Sequence, residues 1–437
     1  MPPAKQLLRE IFRQTLSSID IPSVMQRKLQ CDRSRLILPS GFVDVVDISR
    51  VVIIAIGKAA HAMAAGFIPF APPHATLQGV VAAPTEPAAP LPGIDYFVAG
   101  HPIPNEDSMR AAAAILNLLS ICDQHTLVVF LLSGGGSALV DIPLEPVSAL
   151  EDIRTVHHLL VTCGAPIDAM NTVRRHLSAV KGGRLAVAAG AAQKITLAVT
   201  DVPLGKEAAL ASGPSVPDPT TIADVHRVFA QYELLPQFPP AFRQWIEGGL
   251  MPETPKPGHP AFANAHFELL LGMDDLFHAA HHAVEAHGYV TFCDNSTDDW
   301  PVERAAENLL SQLKAWQREN HGQRVAVIAD GEVSSPVTGM GIGGRNSAFV
   351  LACVKKIAGQ KMAVLSAGTD GVDGNSPAAG AVADGETLAR AKSLGLDPRS
   401  AFENSDAYTF FSTLDDAIVI GPTGNNLRDL RVLIADP

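Results

Sequence analysis

"TLVVFLLSGGGSALV", residues 126–140, sets an unbroken apolar run at 127–132 against three glycines and a serine. A continuous apolar run of this length reads as a strand buried on both faces. Ser137-Ala-Leu-Val then reads as the first turn of a helix. Glycine loses more backbone entropy on folding than any other residue. Three in succession at a strand end therefore require either a tight turn or close approach of another group to the backbone.

The same unit, a short β-branched strand, a loop of small or acidic residues and a helical stretch, returns along the chain. It is seen in "RVVIIAIGKAAHAMAAG", "DYFVAGHPIPNEDSMRAAAAILNLL", "KITLAVTDVPLG", "YVTFCDNSTDDWPVERAAENLLSQL", "RVAVIADGEVSS", "MAVLSAGTDGVDG" and "DAIVIGPTGNN". Apolar strands alternating with helices predict an α/β protein whose parallel sheets are covered on both faces. Ligands of such sheets bind beyond the carboxyl ends of the strands. Those ends carry Gly57-Lys58, Ser133 to Ser137, Thr200-Asp201, Asp330-Gly331-Glu332, Thr369-Asp370 and Thr423-Gly424. Residues 236–260 are dense in proline and glycine and read as a linker or surface crossover. The expected domains are 1–240 and 261–437, with the last strand able to pack on either.

Length and composition bound the function. A chain of 437 residues is too long for one ordinary core. A net charge of -12 with no basic stripe argues against nucleic acid as the main partner. An anionic small substrate stays compatible, because a few local cations reverse the field inside a cleft. Five scattered cysteines, with no paired spacing, read as reduced thiols of a cytoplasmic protein. "MPPAKQLLREIFRQTLSSI" is an amphipathic helix, and no run is long enough to span a bilayer, so no membrane partner is expected.

Each motif has a bland and a sharp reading. Ser133-Gly134-Gly135-Gly136-Ser137 is either an ordinary strand-to-helix turn or an anion cradle of backbone N–H groups. It is no Walker A loop, since G-x-x-x-x-G-K-[ST] occurs nowhere in the chain. "TGMGIGGRN", 338–346, holds a formal G-x-G-x-x-G in Gly339, Gly341 and Gly344, but no strand precedes it directly. Arg345, at a helix start after Gly343-Gly344, suits a phosphate or carboxylate better. "NTVRRHLSAVKGGRLA" places Arg174, Arg175, Lys181 and Arg184 on one stretch, most of which reads as a solvated helix face. Asp330, Glu332, Asp370 and Asp373 stand beside glycines at strand ends, positions that suit both Asx turns and Mg²⁺.

Taken together, "AIGKAAHAMA", "GHPIPNEDS", "LLSGGGSALV", "NTVRRHLSAVKGGRLA", "TDVPLGKEAALASGPSVPDPTT", "GEVSSPVTGMGIGGRNSAF", "SAGTDGVDGNSPAAGAVADGET" and "GPTGNNLRDL" run in order along nearly the whole chain. The chain resembles the glycerate 2-kinases that carry a MOFRL-type C-terminal domain. The resemblance implies transfer of the ATP γ-phosphoryl group to a hydroxyl of glycerate with a divalent metal, here taken as Mg²⁺. It also implies a Rossmann-like N-terminal domain, a smaller α/β C-terminal domain and a cleft between them, with Lys58 and Arg345 in that cleft. Phosphoryl transfer asks mainly for positioning and charge stabilisation. On that basis Lys58 and Arg345 are expected to stabilise the phosphoryl group or hold the substrate carboxylate, with Arg174 and Lys181 as further substrate contacts. Ser133 to Ser137, with Gly343 and Gly344, are expected to cradle phosphate. Asp201 and Asp370 are candidates for Mg²⁺ binding or for accepting the hydroxyl proton, and Glu332 is a further metal candidate.

The chain departs from the family pattern at Lys206-Glu207, Ser347-Ala348 and Asn425-Asn426, each beside an expected site residue. Two rivals follow. A nicotinamide-dependent hydroxypyruvate reductase would use the glycines at 339–344, and a catalytically idle sugar-acid sensor would follow from the departures.

Overall fold

The computed structural model describes residues 3–32, 34–145, 149–200, 202, 205–425 and 427–437. Contacts divide the chain into two units, Ile21–Leu270 and Met1–Asp20 with Leu271–Pro437.

In the first unit a small antiparallel sheet, β1 (Gln30–Cys31), β2 (Arg35–Leu38) and β3 (Gly41–Asp44), precedes a six-stranded one. The latter is built from β4 (Arg50–Ile56), β5 (Thr76–Ala83), β6 (Ile94–Val98), β7 (Thr126–Ser133), β8 (Gln193–Val199) and β9 (Ala265–Leu271), in the order β6-β5-β4-β7-β8-β9. Strands β4 to β8 pair in parallel, with Arg50 opposite both Thr76 and Thr126. β7 is buried along its whole length, as its apolar run requires. Val52, Ile54, Phe130 and Leu132 form a core with Ala111, Ala112, Ile115 and Leu119 of the helix Glu106–Ser120. That helix starts where the sequence places it: Asn105 Oδ1 accepts from the Ser108 amide at 2.9 Å.

The chain fills the sheet outward from β4 to β6 on one side, then returns to β7 and continues outward on the other. The switch point, where open α/β sheets bind their ligands, therefore lies between β4 and β7.

In the second unit β10 (Val290–Cys293), β11 (Val325–Asp330), β12 (Met362–Gly368), β13 (Gly380–Asp384), β14 (Ala417–Ile418) and β15 (Asp429–Ala435) form a sheet in the order β10-β11-β15-β12-β13-β14. Only β10 and β11 pair in parallel; the other four pairings are antiparallel. The parallel expectation is corrected here. A buried apolar run carries no direction, and β15 enters antiparallel between β11 and β12. The helices Val302–Glu319 and Arg345–Ile357 supply Leu309, Leu313, Phe349 and Val354 to its core.

The domain boundaries expected at 240 and 261 also shift. Phe238, Phe242, Ile246 and Met251 pack on Val156, Leu160, Val173 and Phe229, so the proline-rich stretch contributes to the core of the first unit. Its fourfold apolar spacing was hidden among the prolines. The N-terminal helix Ala4–Ser18 goes with the second unit: Lys5 pairs with Asp416 at 2.9 Å, and Arg9 donates to the Ala417 carbonyl at 3.0 Å. The last strand, β15, stays in that unit. Among the described residues no helix is long and apolar enough to cross a membrane.

Candidate active site

At the switch point Ile56 stands opposite Leu132, so the turns after β4 and β7 leave the sheet side by side. Gly57, at φ +132°, has no room for a side chain, since a Cβ would lie 2.1 Å from Ser133 Oγ. Its neighbours are fixed by β7: the Lys58 amide donates to the Gly134 carbonyl at 3.0 Å, and the Ala59 amide to Ser133 Oγ at 3.0 Å. The buried Ser133 hydroxyl thus holds the turn that carries Lys58. Among the described residues the half-buried Lys58 ammonium makes no hydrogen bond or ion pair.

Gly135, at φ +87°, faces the same group. A Cβ there would lie 2.9 Å from the His101 ring and 3.5 Å from Lys58 Cγ. Burial, with help from the Lys58 charge, lowers the His101 pKa and so favours the neutral ring. A Cβ on Gly136 would lie 2.6 Å from Ala211 Cβ. Gly57, Gly135 and Gly136 are therefore bare because the protein's own chain packs on them. Gly134 and Gly135 remain partly exposed beside Lys58.

Ser137 reaches a group that the sequence reading did not assign. Its hydroxyl lies 2.8 Å from Ser212 Oγ, which donates to Asn171 Oδ1 at 3.1 Å. Ala211 and Ser212 have φ of +49° and +60°, a left-handed conformation costly for non-glycine residues. The signal lies in "NTVRRH" and "LASGP", which carry Asn171 and Ser212.

The cations of 174–184 separate. Lys181 is only 1% exposed and pairs with Asp141 at 2.6 Å. Asp141 also takes a hydrogen bond from the Ser178 hydroxyl at 2.6 Å and lies 2.8 Å from His157 Nε2. Burial opposes the Asp141 charge, yet Lys181 and His157 hold its carboxyl well below the usual range. Arg175 pairs with the buried Asp218 at 2.9 Å, and Arg184 Nε donates to the Ser178 carbonyl. Arg174 lines a small cavity with Asp141 and His157, and its buried Nε has no hydrogen-bond partner among the described residues. Asp201 lies outside the described residues. Of the departures beside it, Lys206 pairs on the surface with Asp168 at 3.0 Å, and Glu207 accepts from the Gly205 amide at 2.8 Å.

In the second unit Arg345 opens the helix Arg345–Ile357 and is held by two carboxylates. Its Nε and Nη2 donate to Asp429 at 2.5 and 3.3 Å, and Nη1 donates to Glu332 at 2.6 Å. Burial opposes its charge, but these carboxylates hold it firmly protonated. The start of the helix is occupied by Asp373, whose oxygens accept from the Asn346 amide, the Ser347 amide and the Ser347 hydroxyl at 2.9, 2.8 and 2.6 Å. Gly343 and Gly344 give their amides to Asn375 and Ser347. The departure Ser347 thus serves as a second link of the cap. Gly339 and Gly341 lie tight against Asn404 and Asp406, and Gly344 against Asp373. The fully buried Arg431 donates to the Asp330 and Gly331 carbonyls at 2.6 and 2.9 Å. Asp370 accepts from the Val372 amide at 3.0 Å. Among the described residues no three His, Cys, Asp or Glu gather as a metal cluster.

The family model described as "Domain of unknown function (DUF4147)" matches residues 7–247, and the MOFRL family model matches 325–429. A Thermotoga maritima protein named D-glycerate 2-kinase is 32% identical over 89% of this chain and 91% of its own. An Agrobacterium vitis protein named "Putative hydroxypyruvate reductase" is 35% identical over 99% of this chain and 94% of its own. The crystal structure of a glycerate kinase from Thermotoga maritima superposes with a TM-score of 0.85 at 30% identity, covering 99% of both chains. With a parallel six-stranded sheet in one unit and a MOFRL domain in the other, the chain belongs to the glycerate 2-kinase family with a MOFRL-type C-terminal domain.

Proposed function

We propose that this protein transfers the γ-phosphoryl group of ATP to the C2 hydroxyl of glycerate, releasing 2-phosphoglycerate and ADP. The observation that carries this reading is the similarity to a D-glycerate 2-kinase along 89% of the chain. The chemistry of the switch point supports it. Lys58 offers a cation with no hydrogen bond or ion pair among the described residues, beside partly exposed glycine backbone and a His101 whose neutral form is favoured, a setting suited to charge developing on a transferred phosphoryl group. Ser133 acts by fixing the Lys58 turn, and Asn171 and Ser212 by fixing Ser137.

Arg345 is the proposed anchor for the glycerate carboxylate, and Arg174 a second anion contact. Lys181 serves through Asp141, and Gly343 and Gly344 by shaping the Arg345 turn. Mg²⁺ commonly takes one or two carboxylates, waters and substrate phosphates, and Asp370 and Asp201 are each proposed as such a carboxylate. When bound, the ion neutralises charge on the β- and γ-phosphates. One of these two aspartates is also the candidate acceptor of the C2 hydroxyl proton. Five free thiols accord with a cytoplasmic setting.

The name of the Agrobacterium vitis relative favours a second reading, reduction of hydroxypyruvate by a nicotinamide cofactor. Against it, the glycines at 339–344 are packed on the protein's own residues and follow no strand directly.

The primary C3 hydroxyl of glycerate is the less hindered one, so choice of C2 must be imposed by anchoring the carboxylate. An assay coupled through enolase, pyruvate kinase and lactate dehydrogenase, without phosphoglycerate mutase, tests this. The background from ADP is measured without enolase. Enolase-dependent signal is expected at once; signal only after mutase is added would mean 3-phosphoglycerate and refute the assignment. NADH oxidation with hydroxypyruvate in the absence of ATP would favour the reductase.

A further inference from the structure

The two carboxylates on Arg345 are not equivalent. Asp429 is 4% exposed and grips the guanidinium side-on through both Nε and Nη2. Glu332 is 44% exposed and touches only Nη1, through one oxygen. The Glu332 backbone is held separately, its amide donating to Asp298 Oδ1 at 2.8 Å, so the side chain can swing without moving the loop. A guanidinium has five N–H donors, of which these contacts use three. Among the described residues this leaves one donor on Nη1 and one on Nη2, the two nitrogens at the end of the fork, the first of which Glu332 holds.

We propose that Glu332 is a placeholder: its carboxylate covers the substrate-binding end of Arg345 and is displaced by the carboxylate of the incoming hydroxy acid. The chemistry of the exchange is favourable. An exposed single-oxygen ion pair contributes little, whereas a carboxylate docking end-on makes two charge-assisted bonds to one guanidinium. Asp429 stays in place and keeps Arg345 charged and aimed, so the site never holds an unpaired buried cation. Glu332 thereby sets the affinity for anions: weakly bound anions do not dislodge it, and a bidentate carboxylate does. This assignment rests on the reading of Arg345 as the carboxylate anchor.

The test is calorimetric titration of the full chain with racemic glycerate, without nucleotide, in Glu332→Gln, Glu332→Asp and Arg345→Gln, each first checked for an unchanged melting transition. Glu332→Asp keeps the charge but is too short to hold the Arg345 contact, which separates displacement from a general field effect. The dissociation constant is expected to fall about fivefold in both Glu332 variants, corresponding to about 1 kcal/mol, and binding is expected to be lost in Arg345→Gln. Unchanged affinity in Glu332→Asp, with binding still lost in Arg345→Gln, overturns the placeholder and leaves the kinase reading standing. Full binding in Arg345→Gln overturns the anchor itself. A raised Mg²⁺ requirement for turnover in Glu332→Gln, with no gain in glycerate affinity, would make Glu332 a metal ligand instead.

Discussion

Lys181→Met separates a substrate contact from a structural one. Lys181 and Asp141 are 1% and 7% exposed, and the pair is closed by His157 and Ser178. Removing the ammonium leaves a buried carboxylate with its two weaker partners. Breaking a buried pair from one side costs about 3–5 kcal/mol. The remaining bonds from Ser178 and His157 place the expected loss near the lower end, about 3 kcal/mol, and Lys181→Met/Asp141→Asn should recover part of it. Linkage gives a second signature. The depressed Asp141 carboxyl contributes stability that is present above its unfolded value of 3.8 and is lost as pH falls towards its folded value. Acid sensitivity between about pH 5 and 3 should therefore be flatter in the variant. Trp245 is the only tryptophan of the unit Ile21–Leu270, so a Trp300→Phe/Trp316→Phe background makes urea-induced fluorescence change report on that unit. A loss below about 1 kcal/mol, or a raised KM for glycerate with unchanged stability, would refute the reasoning and make Lys181 a substrate contact.

The N-terminal fold was legible because its signals are local: apolar runs at 51–56 and 127–132, a capping Asn105, and glycines at strand ends. Strand direction in the second unit was not legible. β12 and β15 have the same buried pattern whichever way they run, and only their register separates parallel from antiparallel. The site shows the same division. The position of Lys58 just beyond β4 could be read from Gly57-Lys58 after an apolar run. The partners of Lys181, Arg345 and Asp373 lie 40, 13 and 84, and 26 and 27 residues away, and no spacing rule reports such contacts. A cation or a glycine in sequence therefore looks alike whether it meets an external anion or an aspartate of its own chain.

Three further outcomes are expected. Lys58→Ala should lower kcat/KM by about 10² or more with an unchanged circular dichroism spectrum; near-normal turnover would remove Lys58 from the mechanism. Gly135→Val places branches against the His101 ring and Lys58 at φ +87°, so steady-state kinetics should show a KM for ATP raised about tenfold or more, a loss of about 1.4 kcal/mol, alongside a cost of about 1–3 kcal/mol in stability from the strained backbone. A collapse of stability with normal KM values in the folded fraction would reduce the loop to a turn. Gly344→Ala tests whether the glycines of 339–344 serve the protein or a ligand. A Cβ at 344 would lie 2.3 Å from Asp373 Oδ1, in the carboxylate that caps Asn346 and Ser347. Asp373 is 1% exposed and cannot retreat into solvent, so the substitution must displace the cap. Loss of such a cap costs about 1–2 kcal/mol, and thermal unfolding should shift down before any nucleotide is added. An unchanged melting transition with weakened ATP binding would mean that the glycine is kept for the nucleotide and that Asp373 is not what excludes a side chain there.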